Sequence, residues 1–268
     1  MSGQIVLARR ASPNWKKLAI DYAAGLHVPA ESYFPFHDLR FDRRIPQLVD
    51  QWNALSRISY FACRARLCEI AAANLSKVSH AELIDRADVG AFIHAPLSND
   101  TLLFYHDDDD WFSPDLAIAM AEVDPKTIDA VVFPFVRLAS NVTTFTADGV
   151  PIAESLGQVE AFRYRYCTNN YGLSGRALLR GADLVEHTDA SQAANALGFN
   201  DLHIGTVLSA TSKTPCSASW ILHLPDNRSA FERHILRYIE ALEKLRIPPS
   251  LAWLEAPLGQ TLTLFREA

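Results

Sequence analysis

Apolar positions along the chain repeat with two periods, and their alternation outlines the fold. Ile5, Val6, Leu7 and Ala8 form a short continuous apolar run, the pattern of a strand buried on both faces. Ser12-Pro13 then reads as an N-cap and first helical residue. Trp15, Leu18, Ala19 and Tyr22 recur at helical spacing, and Gly25 stands where a left-handed residue ends a helix. Residues 26 to 44 are irregular and aromatic. Ile45, Leu48, Val49, Trp52 and Leu55 restart a helical stripe, which continues to about Asn74. Leu102 to Tyr105 is the next buried strand, and Ser113-Pro114 opens a helix running to about Glu122. Asp129 to Val136 (DAVVFPFV) is the strongest strand signal in the chain. Asp148-Gly149 between two β-prone runs predicts a hairpin. Further helical patterns lie near 175–181 and 201–210, with a strand near 218–223. The last helix carries Phe231, Ile235, Tyr238, Ile239, Leu242 and Leu245 on one face. Strands alternate with helices, without repeats or a linker, so the expected fold class is α/β.

One junction in this pattern is unusual. The apolar run of LLFYHDDDDWFSPDL (102–116) ends in four consecutive aspartates, Asp107 to Asp110, and Trp111-Phe112 follows at once. Adjacent carboxylates repel one another, and beside a buried strand that repulsion costs stability. Two arrangements relieve it. The carboxylates point into water on a loop, or they surround a divalent cation. The second is favoured by position, because α/β sheets present ligand sites at the carboxyl ends of strands. The two aromatic residues then anchor the acidic segment against the core.

Charge and composition narrow the partners. The chain has 268 residues, 49% hydrophobic, with a formal charge of −6. No basic run exceeds two residues, so nucleic acid is not the expected partner. No stretch is long and apolar enough to span a bilayer, and the N-terminal apolar run is too short for a signal peptide. The four cysteines, Cys63, Cys68, Cys167 and Cys216, lack metal-site spacing. They are expected to be reduced thiols in a cytoplasmic protein, and the N-x-S/T sequons at Asn74, Asn141 and Asn227 are chance matches.

The ordered set of apolar strand, D-x-D-D, aromatic, Pro and helix resembles the DxD segment of GT-A-type glycosyltransferases. The likeness continues along the chain. IVLARR resembles the first strand of that superfamily, whose end touches the nucleotide, and YCTNNYGLSGRALLRGADL resembles the acceptor-side segment. GFNDLHIGTVLS stands where an acidic motif opens a helix, and SWILHLPDNRS resembles a C-terminal strand ending in a metal-binding His. The closest group in character is bacterial and rhamnosyltransferase-like. The resemblance implies a GT-A-like (Rossmann-like) mixed sheet flanked by helices. It implies a nucleotide-sugar and metal half over about 1–125, an acceptor half over about 126–228, and a C-terminal helix and tail over 229–268. It further implies a Mn²⁺ or Mg²⁺ ion on the donor diphosphate, held by Asp109, Asp110 and His223. Ala8, Arg9, Asp107 and Asp108 would contact the donor. Asp107 and Asp109 form the DxD pair, although Asp108 allows a register shifted by one. Asp201 becomes the candidate base, and with it inversion the expected outcome. Arg9, Arg176 and Arg228 are charge-neutralising candidates by position.

Simpler readings stand beside these. His223 alternates with apolar residues and also fits a hydrogen-bonded core histidine. Asp201 also fits an ordinary helix start. Asn169-Asn170-Tyr171-Gly172 fits a turn. The expected partners are a nucleotide-sugar donor and a glycan or lipid-linked saccharide acceptor. The amphipathic last helix fits packing or peripheral membrane contact. A nucleotidyltransferase or phosphohydrolase also clusters aspartates, and a non-catalytic sugar- or nucleotide-binding module is a third class.

Overall fold

The computed structural model describes residues 4–9, 13–29, 32, 44–85, 100–107, 110–138, 160–162, 166, 170–180, 187–212, 214–217 and 228–268. They divide into two compact units. The first comprises Met1–Ala11, Ala72–Val136 and Glu160–Thr211; the second comprises Ser12–Ala71, Arg137–Val159 and Ser212–Ala268. The expected hairpin at Asp148-Gly149 and the strand near 218–223 lie outside the described residues.

The first unit is built on a six-stranded mixed sheet. Its strands are β1 (Gln4–Arg9), β2 (Ala81–Asp85), β3 (Thr101–His106), β5 (Ala130–Val132), β8 (Tyr171–Ser174) and β9 (Asp201–His203), in the order β2-β1-β3-β8-β5-β9. β1 is parallel to β2 and β3, and β5 is parallel to β9. β8 runs antiparallel to both its neighbours, β3 and β5. Helices α5 (Gly175–Leu179) and α6 (His187–Leu197) accompany it, with the short α4 (Leu116–Ala119). This is the expected α/β class, a mixed sheet flanked by helices. A second sheet, in the order β4-β10-β6-β7, joins β4 (Trp111–Phe112), β10 (Ser209–Thr211), β6 (Phe135–Arg137) and β7 (Glu160–Phe162).

Side chains of the large sheet alternate between two cores, as the pleat requires. Val6, Ala8, Leu103 and Tyr105 join one, with Ala177 of α5 and Ala194 of α6. Ile5, Leu7, Leu102 and Phe104 join the other, with Leu75, Phe112 and Leu116. All six residues of β3 are buried, which explains why it reads as a continuous apolar run.

Several sequence expectations are corrected here. The strong 129–136 signal is two strands in different sheets, because Pro134 has no N–H to donate and restricts the residue before it. The expected helix near 201–210 is instead β9 and β10; Leu202 and Ile204 alternate with Asp201 and His203 at period two. The helix after Ser113-Pro114 holds only four regular residues and continues as turns. Gly172 is a strand residue, not part of a turn, and its function is close approach. A Cβ there would stand 2.4 Å from the Phe104 ring.

Among its described residues the second unit is helical: α1 (Trp15–Ala23), α2 (Arg44–Leu55), most of α3 (Tyr60–Leu75), α7 (Arg228–Lys244), a 3₁₀ turn (Pro249–Leu254) and α8 (Glu255–Glu267). Asn14, rather than Ser12, caps α1, accepting from the Lys17 N–H at 3.1 Å. Gly25 ends it as expected, with φ of 72°. Its N–H donates to the Tyr22 carbonyl and that of Leu26 to Asp21, a Schellman pattern. The helical stripe from 45 to 74 breaks at 56–59, where the Trp52 indole donates to the Ile58 carbonyl at 2.8 Å. Residues 246–268, expected as a tail, form the 3₁₀ turn and α8. The apolar face of α7 is spent on packing: Phe231 meets Trp52, and Tyr238 meets Phe265 of α8. No helix among the described residues is long and apolar enough to cross a membrane.

Gly172→Ala is expected to destabilise the protein by about 1–3 kcal/mol, through overpacking against Phe104. Urea unfolding of the two proteins checks this, and equal midpoints would contradict the close approach.

Candidate functional site

The parallel trio β2-β1-β3 brings three strand ends into one row, with Arg9 in register with Asp85 on one side and His106 on the other. The chain leaves β1 for β2 on one flank and returns as β3 on the opposite flank. The carboxyl ends of β1 and β3 therefore bracket a topological switch point, the place where open α/β sheets hold ligands. Arg9 is exposed at this edge. Ala8, one residue back, is wholly buried with its side chain in the core, so only its backbone is suited to meet a ligand.

The acidic run begins immediately beyond β3. Asp107 is partly exposed and Asp110 is fully buried. The Asp110 N–H donates to the Asp107 carbonyl at 3.4 Å, so the first and last aspartates of the run lie close together. His106 supports Asp110. Its ring is 2% exposed, its Nε2 lies 2.9 Å from the Asp110 carbonyl, and it packs on Phe112 with centroids 5.7 Å apart. A carbonyl only accepts, so Nε2 carries the hydrogen. The far end is tied down by β4. Trp111 and Phe112 pair with Ala210 and Ser209 of β10, and the Phe112 N–H donates to the Asn74 side chain at 2.9 Å. Asn74 is itself buried, which makes its sequon a structural asparagine. Trp111 and Phe112 are both buried, which ties Asp110 to the core as expected.

Of the remaining candidates, Asp108, Asp109 and His223 lie outside the described residues. Among the described residues no group of three His, Cys, Asp or Glu side chains is arranged to hold a metal ion. Asp107 and Asp110 are brought together; Asp201 is not brought to them. It opens β9, not a helix, which corrects the placement expected for a base. Its rung runs through Ala130 and Leu173 to Leu103. That is three strand spacings from β3, roughly 14 Å, and three residues short of His106, roughly 10 Å. The Asp201 carboxylate accepts from the Tyr166 hydroxyl at 2.7 Å. Tyr166 is buried with φ of 50°, a conformation costly for a bulky residue.

Two of the three arginines named from sequence also have other work. Arg228 donates to the Ala54 carbonyl at 3.1 Å in the second unit. Arg176 joins Arg180 on Asp129, which is 1% exposed, at 3.3 and 3.1 Å. The other Asp129 oxygen accepts from the Asn200 N–H at 2.9 Å. This clamp sits just before β5, at the opposite end of the sheet from the acidic turn. It stitches β5, α5 and the approach to β9 together. The sequence reading missed it, because each partner is contributed by a different segment. His106 was missed despite lying inside the stretch that drew attention; an apolar strand ending in His directly before the aspartates was the available signal.

No family model matches the chain, and no curated protein matches its sequence. Among solved structures, S. aureus TarS 1-349, a glycosyltransferase, is similar over 98% of this chain and 70% of that one, with 10% identity and a TM-score of 0.34. A likeness that loose decides nothing about function, and the fold class rests on the strand order itself.

His106→Ala removes the donor to a buried carbonyl and opens a void beside Phe112. It is expected to cost about 2–4 kcal/mol. His106→Gln keeps an N–H donor and should recover part of that loss. Urea denaturation of the three proteins reads the order; an alanine variant as stable as the wild type would show that the ring does not pin the turn.

Proposed function

We propose that the chain is a glycosyltransferase that takes a sugar from a nucleotide-activated donor, with Mn²⁺ or Mg²⁺ on the donor diphosphate. The acceptor class is a glycan or a lipid-linked saccharide. One observation carries the reading: Asp107 and Asp110, the two ends of the acidic run, are joined by a hydrogen bond at the switch point between β1 and β3. The donor set suits a hard divalent cation, which takes carboxylate oxygens. Asp107 and Asp109 are the DxD pair in this proposal, with Asp108 and Asp110 adjoining and His223 as a further ligand.

The division of labour follows from placement. A bound cation would supply Lewis-acid stabilisation of the charge that gathers on a departing nucleoside diphosphate. Arg9, exposed on the neighbouring strand end, supplies positive charge to the same diphosphate, and the backbone at Ala8 borders the nucleotide. His106 and Phe112 hold Asp110 and the strand end beside it, and fixing that end before a ligand arrives limits the ordering cost of binding. No residue is proposed as the base. The sequence argument for inversion rested on Asp201 opening a helix beside the cleft, and that placement does not hold.

A melting-temperature screen of nucleoside diphosphates with and without Mn²⁺ tests the proposal. A ligand at about 100 times its Kd stabilises the native state by about 2.7 kcal/mol, a rise of several degrees. That rise should require Mn²⁺ and should vanish in Asp107→Asn and Asp109→Asn. Loss of metal-dependent stabilisation in neither variant sinks the DxD assignment. Release of pyrophosphate, or of nucleotide without any sugar acceptor, would instead favour the nucleotidyltransferase or phosphohydrolase classes.

Asp201→Asn supplies the contrast. Lying so far along and across the sheet, it is expected to leave Mn²⁺-dependent nucleotide affinity within about twofold of wild type, a difference of roughly 0.4 kcal/mol. Calorimetric titration measures this. A tenfold loss would mean that Asp201 belongs to the donor site after all.

A further inference from the structure

The second unit contains a pair of thiols that the proposed chemistry does not use. Cys63 lies on α3 and Cys216 on the turn 214–217, separated by 153 residues in sequence. Both are fully buried, and the Cys216 thiol donates to the Cys63 sulfur at 3.5 Å. Their surroundings hold both in place. The Cys63 N–H donates to the carbonyl of Ser59, the residue before α3, and the Tyr60 hydroxyl donates to the Cys216 carbonyl at 2.9 Å. The turn itself is closed by the Ser217 N–H on the Thr214 carbonyl, and the Cys216 N–H reaches the Thr214 hydroxyl at 3.3 Å. We propose that Cys63 and Cys216 form a native cross-link site, closing to a disulfide when the chain meets a disulfide oxidant such as oxidised glutathione.

The geometry asks little of the fold. A disulfide needs its sulfurs about 2.05 Å apart, so the pair must close by roughly 1.5 Å, within reach of side-chain rotation. The step balances as two exchanges. One cysteine thiolate attacks oxidised glutathione, forming a mixed disulfide and releasing one glutathione thiolate. The second cysteine thiolate then attacks the protein sulfur of that mixed disulfide, releasing the other. The two protons leave to solvent and glutathione, and two glutathione molecules are formed for each bridge.

Burial sets when this happens. It pushes the Cys216 thiol well above its ordinary range; the adjacent Cys63 thiol adds to this, while the Arg64 guanidinium opposes it. A protonated, enclosed thiol is a poor nucleophile. The folded protein is therefore slow to oxidise, and the bridge closes during folding or local opening. A cross-link across so long a loop removes many unfolded conformations, so it stabilises the fold provided the native geometry accepts it.

The test uses the full chain. It is unfolded in urea, refolded in a glutathione redox buffer, alkylated with N-ethylmaleimide and digested for mass spectrometry. A matched sample is refolded with excess reductant. The expected result is a Cys63–Cys216 linked peptide, loss of two of the four alkylatable thiols, and a melting temperature several degrees above the reduced protein. Folded protein with all four thiols alkylated would overturn the proposal. So would a bridge using Cys68 or Cys167, or a Cys63–Cys216 bridge that lowers the melting temperature. Because the linked peptide is read in the wild-type chain, a poorly folding cysteine variant cannot blur the outcome, and the result is independent of the nucleotide-sugar reading.

Discussion

Everything at the candidate site depends on one transition: a strand with all six residues buried gives way, without a spacer, to four carboxylates. Burial fixes where β3 ends, and carboxylate repulsion makes the next four residues expensive to hold together. The two ends of that run are nevertheless held. The His106 ring reaches the Asp110 carbonyl, and β4 re-enters the fold at once through Trp111 and Phe112. A bound cation or positively charged ligand group would relieve that repulsion, which is the physical ground for the proposed binding function.

The two ends of the large sheet divide the work. At the amino end of β5, Asp129 is buried with its charge compensated by Arg176 and Arg180 and its second oxygen taken by a backbone N–H. That arrangement joins segments and leaves no obvious vacancy for chemistry; removing the carboxylate would strand two guanidinium groups. At the carboxyl ends of β1 and β3 the negative charge is concentrated instead, with a single described arginine, Arg9, in register beside it. The contrast between a compensated carboxylate and a concentrated cluster separates scaffold from site on physical grounds.

Much of this was legible in the sequence, for identifiable reasons. β1 and β3 carry unbroken apolar runs, α7 carries a long helical stripe, and Gly25 ends its helix at a positive φ. The acidic turn announced itself because four like charges are locally costly. What escaped was decided by contacts distant in sequence. Pro134 sits inside an apolar run whose composition still reads as one strand. β9 is three residues long, too short for its alternation to stand out from a helical pattern. α8 contains Pro257 and Gly259, which weaken its helical signal, although Pro257 lies in the first turn where proline is tolerated. Asn74 on Phe112 and Tyr166 on Asp201 span 38 and 35 residues, beyond any local pattern.

The central claim is that the Asp107–Asp110 turn holds a divalent cation against a nucleoside diphosphate at the ends of β1 and β3. Crystals grown with Mn²⁺ and a stabilising nucleoside diphosphate test it most directly, through anomalous scattering at the manganese edge. The account predicts one strong peak within coordination distance, about 2.0–2.6 Å, of aspartate oxygens in the turn, with diphosphate density on the same ion beside Arg9. Manganese at another place in the chain, or a diphosphate bound away from the β1 and β3 ends, would contradict it.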